Sequence, residues 1–361
     1  MRKIVDKRNY GIDLLRMVSM FLVIILHILG AGGILNATDG LRMHHALAWF
    51  LEICAFCAVN CYALISGYVS VGSKYKFSNI INLWLQVFFY NFIFYIIFAI
   101  LGWESISLKN VLGVFFPVLT ESYWYFTAYF CLFLFIPFLN LALEKIPKKT
   151  LKTFIVLGIL FLSIFPTIIR RDIFITNGGY SAFWLMFLYL IGGYLKKYGF
   201  LSNLSGWKLF VGYICCVVFT FISKLFIADL NILFFNEVRY DWMFIGYTSP
   251  SILFSAIFLL LLFSKLSVER FKKIISFFAP LSFAVYLIHS NKLFGLKFWN
   301  NKFIFLTRFN PFIMIFIVVA IACFIYVICS FIDVIRKKIF DMLKVKERIS
   351  LIDTKYLKKY Y

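Results

Sequence analysis

The sequence predicts an all-α, polytopic integral membrane protein: a bundle of about ten transmembrane helices with no soluble catalytic domain. Three observations carry this. First, 63% of the 361 residues are hydrophobic and only 15% are charged, whereas soluble domains hold roughly 45–50% apolar and about 25% charged residues. Second, apolar runs of about the 20 residues that a spanning helix needs recur along the whole chain. Third, Lys and Arg alternate in density from one connecting segment to the next, as they do when alternate loops face the cytoplasm.

The segments follow in order. The N-terminus, MRKIVDKRNYGIDLLRMVSMFLVIILH, has the basic-then-apolar layout of a signal peptide. Arg16 interrupts it, however, and its apolar part runs on to about Gly33, so an uncleaved first helix at 12–33 fits better. Further spans are expected at 46–70, 79–101, 123–143 and 152–169, and a sixth, short for a span, at 181–195. The last four lie at 208–228, 246–264, 274–294 and 311–333. With the N-terminus inside, 26 Lys and Arg residues fall in inside segments and 9 in outside ones. That bias supports ten spans with both termini cytoplasmic, because an error of one span breaks the alternation. The expected organisation is a ten-helix membrane domain over 1–335 and a basic, amphipathic cytoplasmic tail over 336–361. In that tail Ile339, Phe340, Leu343 and Ile349 stand among Lys and Arg, a pattern that suits the inner membrane surface.

The formal charge of +21 suggests nucleic acid in a soluble protein. Here no basic domain stands apart from the apolar runs, and the anionic inner leaflet accounts for the Lys and Arg; no nucleic-acid partner is expected. All eight Cys fall within apolar runs. Cys54, Cys57 and Cys61 share helical spacing, but small buried apolar side chains explain them better than a metal face. No metal-knuckle spacing or paired extracellular framework is present, and no metal is expected.

Polar residues inside a span cost free energy and face the bundle interior, so they mark where chemistry can occur. The first span carries Asp13, Arg16 and His27, the second Glu52 and Asn60, the ninth His289. Arg16 and His27 are eleven positions apart, about 1100° of helix, or three turns plus about 20°. They share one face, separated by about 16 Å along the axis. Arg16 lies just inside the cytoplasmic boundary and His27 about two-thirds of the way across. This geometry suits a long donor with an anionic head and a reactive tip. Coenzyme A has that form: a guanidinium offers a fork of donors to its phosphates, and the extended arm can bring a thioester to His27. Imidazole can act as general base on a hydroxyl or itself accept the acyl group. Other readings stand beside these. Arg16 can pair with Asp13 one turn earlier or with a lipid phosphate, and an intramembrane His can serve packing alone.

The segment RNYGIDLLRMVSMFLVIILHILGAGGIL resembles the opening of the membrane acyltransferase family 3, whose hallmark is Arg, ten residues, then His in the first span; Arg16 and His27 match it. VNCYALISGYVSV, residues 59–71, resembles the family's stretch ending in Ser-Gly-aromatic, here Ser66, Gly67 and Tyr68. SYWYFTAYFCLFLFIPFLN (122–140), FLYLIGGYLKK (187–197) and VYLIH (285–289) are also similar, in order, over nearly the whole chain. The resemblance implies transfer of an acyl group, usually acetyl, from cytoplasmic acyl-CoA to a hydroxyl of a cell-envelope carbohydrate in a bacterial-type plasma membrane. His27 would be the catalytic base or acyl relay, and Arg16 would engage the donor. Many members have Arg soon after the Ser-Gly-aromatic motif; here Lys74 and Lys76 stand there and bind phosphate as point charges.

Glu121, Tyr123 and Trp124 at the outer end of the fourth span suit a sugar, or an interfacial aromatic belt. Glu52 can orient His27 or snorkel. His289 can line the same cavity or be structural. Ser66 and Tyr68 can meet substrate or pack a helix terminus, with Gly67 allowing close approach. The different-class alternative is a transporter or flippase for lipid-linked sugars or acyl groups, which calls for inverted repeats and broken helices at the midplane; no clear repeat is visible. A glycan polymerase calls for a large outer loop. The expected partners are membrane lipid, acyl-CoA (acetyl-CoA as donor substrate) and a carbohydrate acceptor. The sequence is silent on whether a single chain or a homo-oligomer acts.

Overall fold

The computed structural model describes residues 8–235 and 242–352. Arg2, Lys3, Lys7, Arg239 and the end of the basic tail from 353 onward lie outside the described residues. Every regular element among the described residues is helical. Ten helices correspond to the ten apolar segments: α1 (Tyr10–Leu29), α2 (Arg42–Ser70), α3 (Phe77–Ile100), α4 (Trp124–Lys145), α5 (Lys148–Ile169), α6 (Ala182–Tyr198), α7 (Gly206–Phe235), α8 (Pro250–Lys265), α9 (Glu269–His289) and α10 (Pro311–Met342). A short α11 (Val345–Ile352) follows.

Eight of these are long and apolar enough to cross a membrane; the protein is a multi-pass, all-helical membrane protein. The other two, α6 with 17 residues and α8 with 16, measure about 25 Å, shorter than a hydrocarbon core of about 30 Å. Their placement explains why this suffices. Both are buried along most of their length, with Trp184, Leu188 and Tyr189 of α6 and Leu253, Ala256 and Leu260 of α8 fully enclosed. They form the protein-covered interior, while α3, α7 and α10 turn large apolar side chains such as Ile97, Phe226 and Phe316 outward, as lipid-facing helices do.

Two backbone approaches lock this interior. A Cβ on Gly67 of α2 would meet the Tyr189 carbonyl oxygen of α6 at 1.9 Å, and a Cβ on Gly192 of α6 would meet that of Leu64 at 2.0 Å. The Gly of the Ser-Gly-aromatic stretch is thus one side of a reciprocal close contact, the use membrane helices make of small residues.

Several helices are irregular near the interior. α2 is interrupted at Cys57 (φ −72°, ψ −7°), α5 carries a π-turn at Leu160–Ile164, and α9 a 3-10 turn at Ala279–Leu281 around Pro280. α10 continues unbroken past Asp333 to Met342, so the expected tail begins as helix. Arg336 is buried there against Asp333, and Tyr90 of α3 donates to Asp333 Oδ1 at 2.7 Å. Losing one partner of such a buried pair costs about 3–5 kcal/mol.

Gly67→Ala and Gly192→Ala should each lower the thermal midpoint of the detergent-solubilised protein by several degrees. Gly113→Ala, whose Cβ would meet nothing nearer than 3.8 Å, should leave it within a degree. Scanning fluorimetry with size-exclusion chromatography checks both.

Candidate functional site

The site is built around one face of α1. Asn9 caps this helix, its Oδ1 accepting from Ile12 N at 3.2 Å, and its Nδ2 donates to the Ser264 carbonyl at 2.8 Å, tying the start of α1 to the end of α8. One turn in, Asp13 takes Arg8 on one carboxylate oxygen and Arg16 on the other. The Arg16–Asp13 pair is therefore real, yet it does not consume the guanidinium. The Arg16 side chain remains one-third exposed (33%) and lines a cavity of about 340 Å³. Lys74 and Lys76, in the loop after α2, line the same cavity together with Ser66 and Asn140. Tyr62 of α2 donates to the Arg16 carbonyl at 2.7 Å, and Ser66 donates to the Tyr62 carbonyl at 3.0 Å, joining α1 and α2 at this level.

Eleven residues on, His27 lines a second cavity of about 230 Å³. Tyr62, Tyr125 and Phe283 line both cavities and stand between them. The Tyr62 and Tyr125 rings lie 6.1 Å apart. Three helices contribute regularly spaced stripes to this path: Arg16, Met20, Val23 and His27 from α1; Tyr125, Tyr129, Phe133 and Asn140 from α4; Ser282, Phe283 and Tyr286 from α9 just beyond its 3-10 turn. The shared face expected for Arg16 and His27 is what the structure holds.

Around His27 the wall is aromatic. Trp124, Tyr180 and Tyr247 pack in a cluster with ring centroids 4.4 Å (Trp124–Tyr180), 5.0 Å (Tyr180–Tyr247) and 6.1 Å (Trp124–Tyr247) apart. Asn60 holds this wall in place: its Nδ2 donates to the Tyr247 carbonyl at 2.7 Å while its Oδ1 accepts from Trp184 Nε1 at 3.1 Å. Behind His27 stand His289 at 5.0 Å and Trp299 at 6.3 Å, measured between ring centroids. His289 Nδ1 lies 2.6 Å from the Val285 carbonyl, to which it donates, leaving Nε2 to accept from Ser290 Oγ at 3.2 Å. His289 is thereby held at both ring nitrogens, buried behind His27 and facing an apolar groove of about 670 Å³ beside α3 and α10. The His27 ring makes no hydrogen bond among the described residues.

The sequence-derived candidates therefore divide. Arg16, Lys74, Lys76 and Ser66 share the first cavity; His27 and Trp124 share the second. Four others line neither. Glu121 is exposed in the turn before α4, with φ of 48°. Tyr123 is buried and fastens α4 to α9, donating to the Leu287 carbonyl at 2.7 Å and accepting from Asn291 at 2.8 Å. Tyr68 lies beneath the Lys196 ammonium, 5.3 Å from its ring centroid. His289 supports His27 from behind. Glu52 does not snorkel and does not bond to His27; it is buried and lines the His27 cavity. Tyr62, Tyr125, Tyr180 and Tyr247 are not among the sequence-derived candidates; helical spacing to Ser66 and Tyr129 is a signal for the first two, whereas Tyr180 and Tyr247 lie at loop positions that periodicity does not reach. Among the described residues no group of three His, Cys, Asp or Glu side chains is placed to hold a metal ion.

The family model described as "Acyltransferase domain" (Acyl_transf_3) matches residues 9–331, from the cap of α1 into α10. The chain belongs to the membrane acyltransferase family 3. Comparison with curated proteins and with solved structures gives no match. In this acyltransferase, the matched region contains both cavities and every side chain that lines them.

His289→Ala should lower turnover by about ten- to a hundredfold by freeing the His27 ring. His289→Asn, which can keep a donor toward the Val285 carbonyl, should recover part of it. Comparing kcat and donor KM for the two variants checks this: a positioning role appears in kcat with donor KM unchanged.

Proposed function

We propose that this acyltransferase moves an acetyl or similar acyl group from cytoplasmic acyl-CoA to a hydroxyl of a cell-envelope carbohydrate. The observation that carries the reading is the pair of cavities on one face of α1: a basic one at Arg16, Lys74 and Lys76 and an aromatic one at His27, with three rings shared between them. The coenzyme's phosphates pair with Arg16 and the two lysines, where a guanidinium supplies directed donors and ammonium groups supply charge. The extended arm passes between Tyr62, Tyr125 and Phe283 as those rings swing apart, and the thioester arrives beside His27. The His27 cavity is smaller than the roughly 300–1,000 Å³ of drug-sized ligand sites, which suits an acyl group and one sugar residue rather than the coenzyme itself.

His27, whose ring nitrogens are uncommitted among the described residues, removes the acceptor hydroxyl's proton. The hydroxyl oxygen forms a bond to the thioester carbon, the carbon–sulfur bond breaks, and the proton passes from His27 to the departing thiolate. The aromatic wall of Trp124, Tyr180 and Tyr247 offers ring faces for stacking a sugar. The excess of Lys and Arg in alternate loops supports a plasma-membrane orientation with both termini and the Arg16 cavity cytoplasmic. The His27 cavity then serves an acceptor from the outer side, and membrane lipid surrounds α3, α7 and α10. No metal enters the reaction. Membership of an acyltransferase family favours this over movement of a lipid-linked sugar without chemistry.

The test uses purified protein, labelled acetyl-CoA and envelope glycan, reading thiol release and label on the glycan. His27→Ala should reduce transfer by at least about 100-fold at equal protein level; wild-type turnover in that variant would end the mechanism. Arg16→Ala should raise donor KM by about tenfold or more, and an unchanged donor affinity would remove its assigned role.

A further inference from the structure

One acidic side chain lines the His27 cavity among the described residues, and nothing in the steps above uses it. Glu52 lies on the first half of α2, five positions before the break at Cys57, and is 6% exposed. Its Oε2 is buried without a hydrogen-bond partner among the described residues, and no ion pair to it forms among them. The cavity it lines is walled by rings, among them Phe56 one turn further along α2, Trp124 and Tyr247. Burying a carboxyl without a partner is costly, so a residue at this position that served the fold alone would be better replaced by an apolar one. A group that costs stability and points into a cavity is the mark of a ligand contact.

His27 and Glu52 enter the cavity from α1 and α2 respectively, and each brings an uncommitted polar group. A hydroxyl that donates its one hydrogen to His27 cannot donate to Glu52 as well. A second hydroxyl on the acceptor can. We propose that Glu52 binds a second hydroxyl of the acceptor, next to the one that is acylated, so that the cavity selects a vicinal diol over a single alcohol. This deepens the preceding reading and rests on its assignment of the transfer step to His27. Glu52 accepts the neighbouring hydroxyl's hydrogen, the ring carbons of the acceptor lie against Trp124 and Tyr247, and the reacting oxygen is left facing His27. The residue sets acceptor choice, while the donor remains with Arg16, Lys74 and Lys76 in the other cavity.

The test uses the full chain in lipid nanodiscs with acetyl-CoA as donor. The acceptor probes are a matched pair, trans-1,2-cyclohexanediol and cyclohexanol, together with methyl hexopyranosides and their monodeoxy counterparts. Wild type should acylate the diols with kcat/KM at least about tenfold above the single alcohols, the worth of one buried hydrogen bond. Glu52→Leu should lose that preference, keep donor KM within about twofold, and show a thermal midpoint equal to or above wild type. Glu52→Gln, which retains a carbonyl acceptor, should keep part of the preference. Absence of diol preference in wild type, its survival in Glu52→Leu, or a lowered midpoint with both acceptors equally impaired would each overturn the proposal. The part of the tryptophan fluorescence response to the same probes that is lost in Trp124→Phe separates this proposal from the transferase reading. Glu52-dependent diol binding without transfer from acetyl-CoA would support the acceptor site and sink the acyl-CoA chemistry.

Discussion

A helix that carries an ion pair near one end and an imidazole near the other is stable in a bilayer only if its polar face is turned from lipid. That constraint organises this molecule. α1 meets it by standing inside the bundle against α2, α8, α9 and α10, and what its polar face meets is two cavities rather than close-packed side chains. The interior position depends in turn on the short helices α6 and α8, which are shielded along most of their length, and on the reciprocal approach of Gly67 and Gly192 that draws α6 against α2.

The basic end shows how a membrane protein keeps a cation available. Arg16 would be expensive to leave without a counter-charge at this depth, and Asp13 supplies one. Asp13 is shared with Arg8, however, so one carboxylate faces two guanidinium groups and the local balance stays positive. Lys74 and Lys76 add charge to the same cavity. An anionic ligand completes such a set. At the other end the logic is reversed: His27 and Glu52 stand among rings with no compensating partner between them, and a neutral, hydroxylated ligand completes that set.

Much of this was legible before any fold was known. Periodicity along α1 put Arg16 and His27 on one face, and the same period along α4 joins Tyr125 to Tyr129, Phe133 and Asn140. Periodicity names a face but not its neighbour. It therefore could not separate Trp124, which faces the cavity, from Tyr123 beside it, which faces α9. Nor could it find Tyr180 and Tyr247, brought from loops before α6 and α8 to His27 by the packing of those helices and by the bond from Asn60. The ten apolar segments became ten helices, eight of spanning length, because apolar run length is a local property. The sixth was already short in the sequence; that the eighth is short as well, and that both can be, is a tertiary property.

The central claim is that one face of α1 carries a donor from a basic cavity to His27. A cryo-electron microscopy map of the full chain in nanodiscs with acetyl-CoA tests it most directly. The account predicts phosphate density beside Arg16, Lys74 and Lys76 and the arm running past Tyr62 and Tyr125 to a thioester at His27. Coenzyme density bound elsewhere, with both cavities empty, would contradict it.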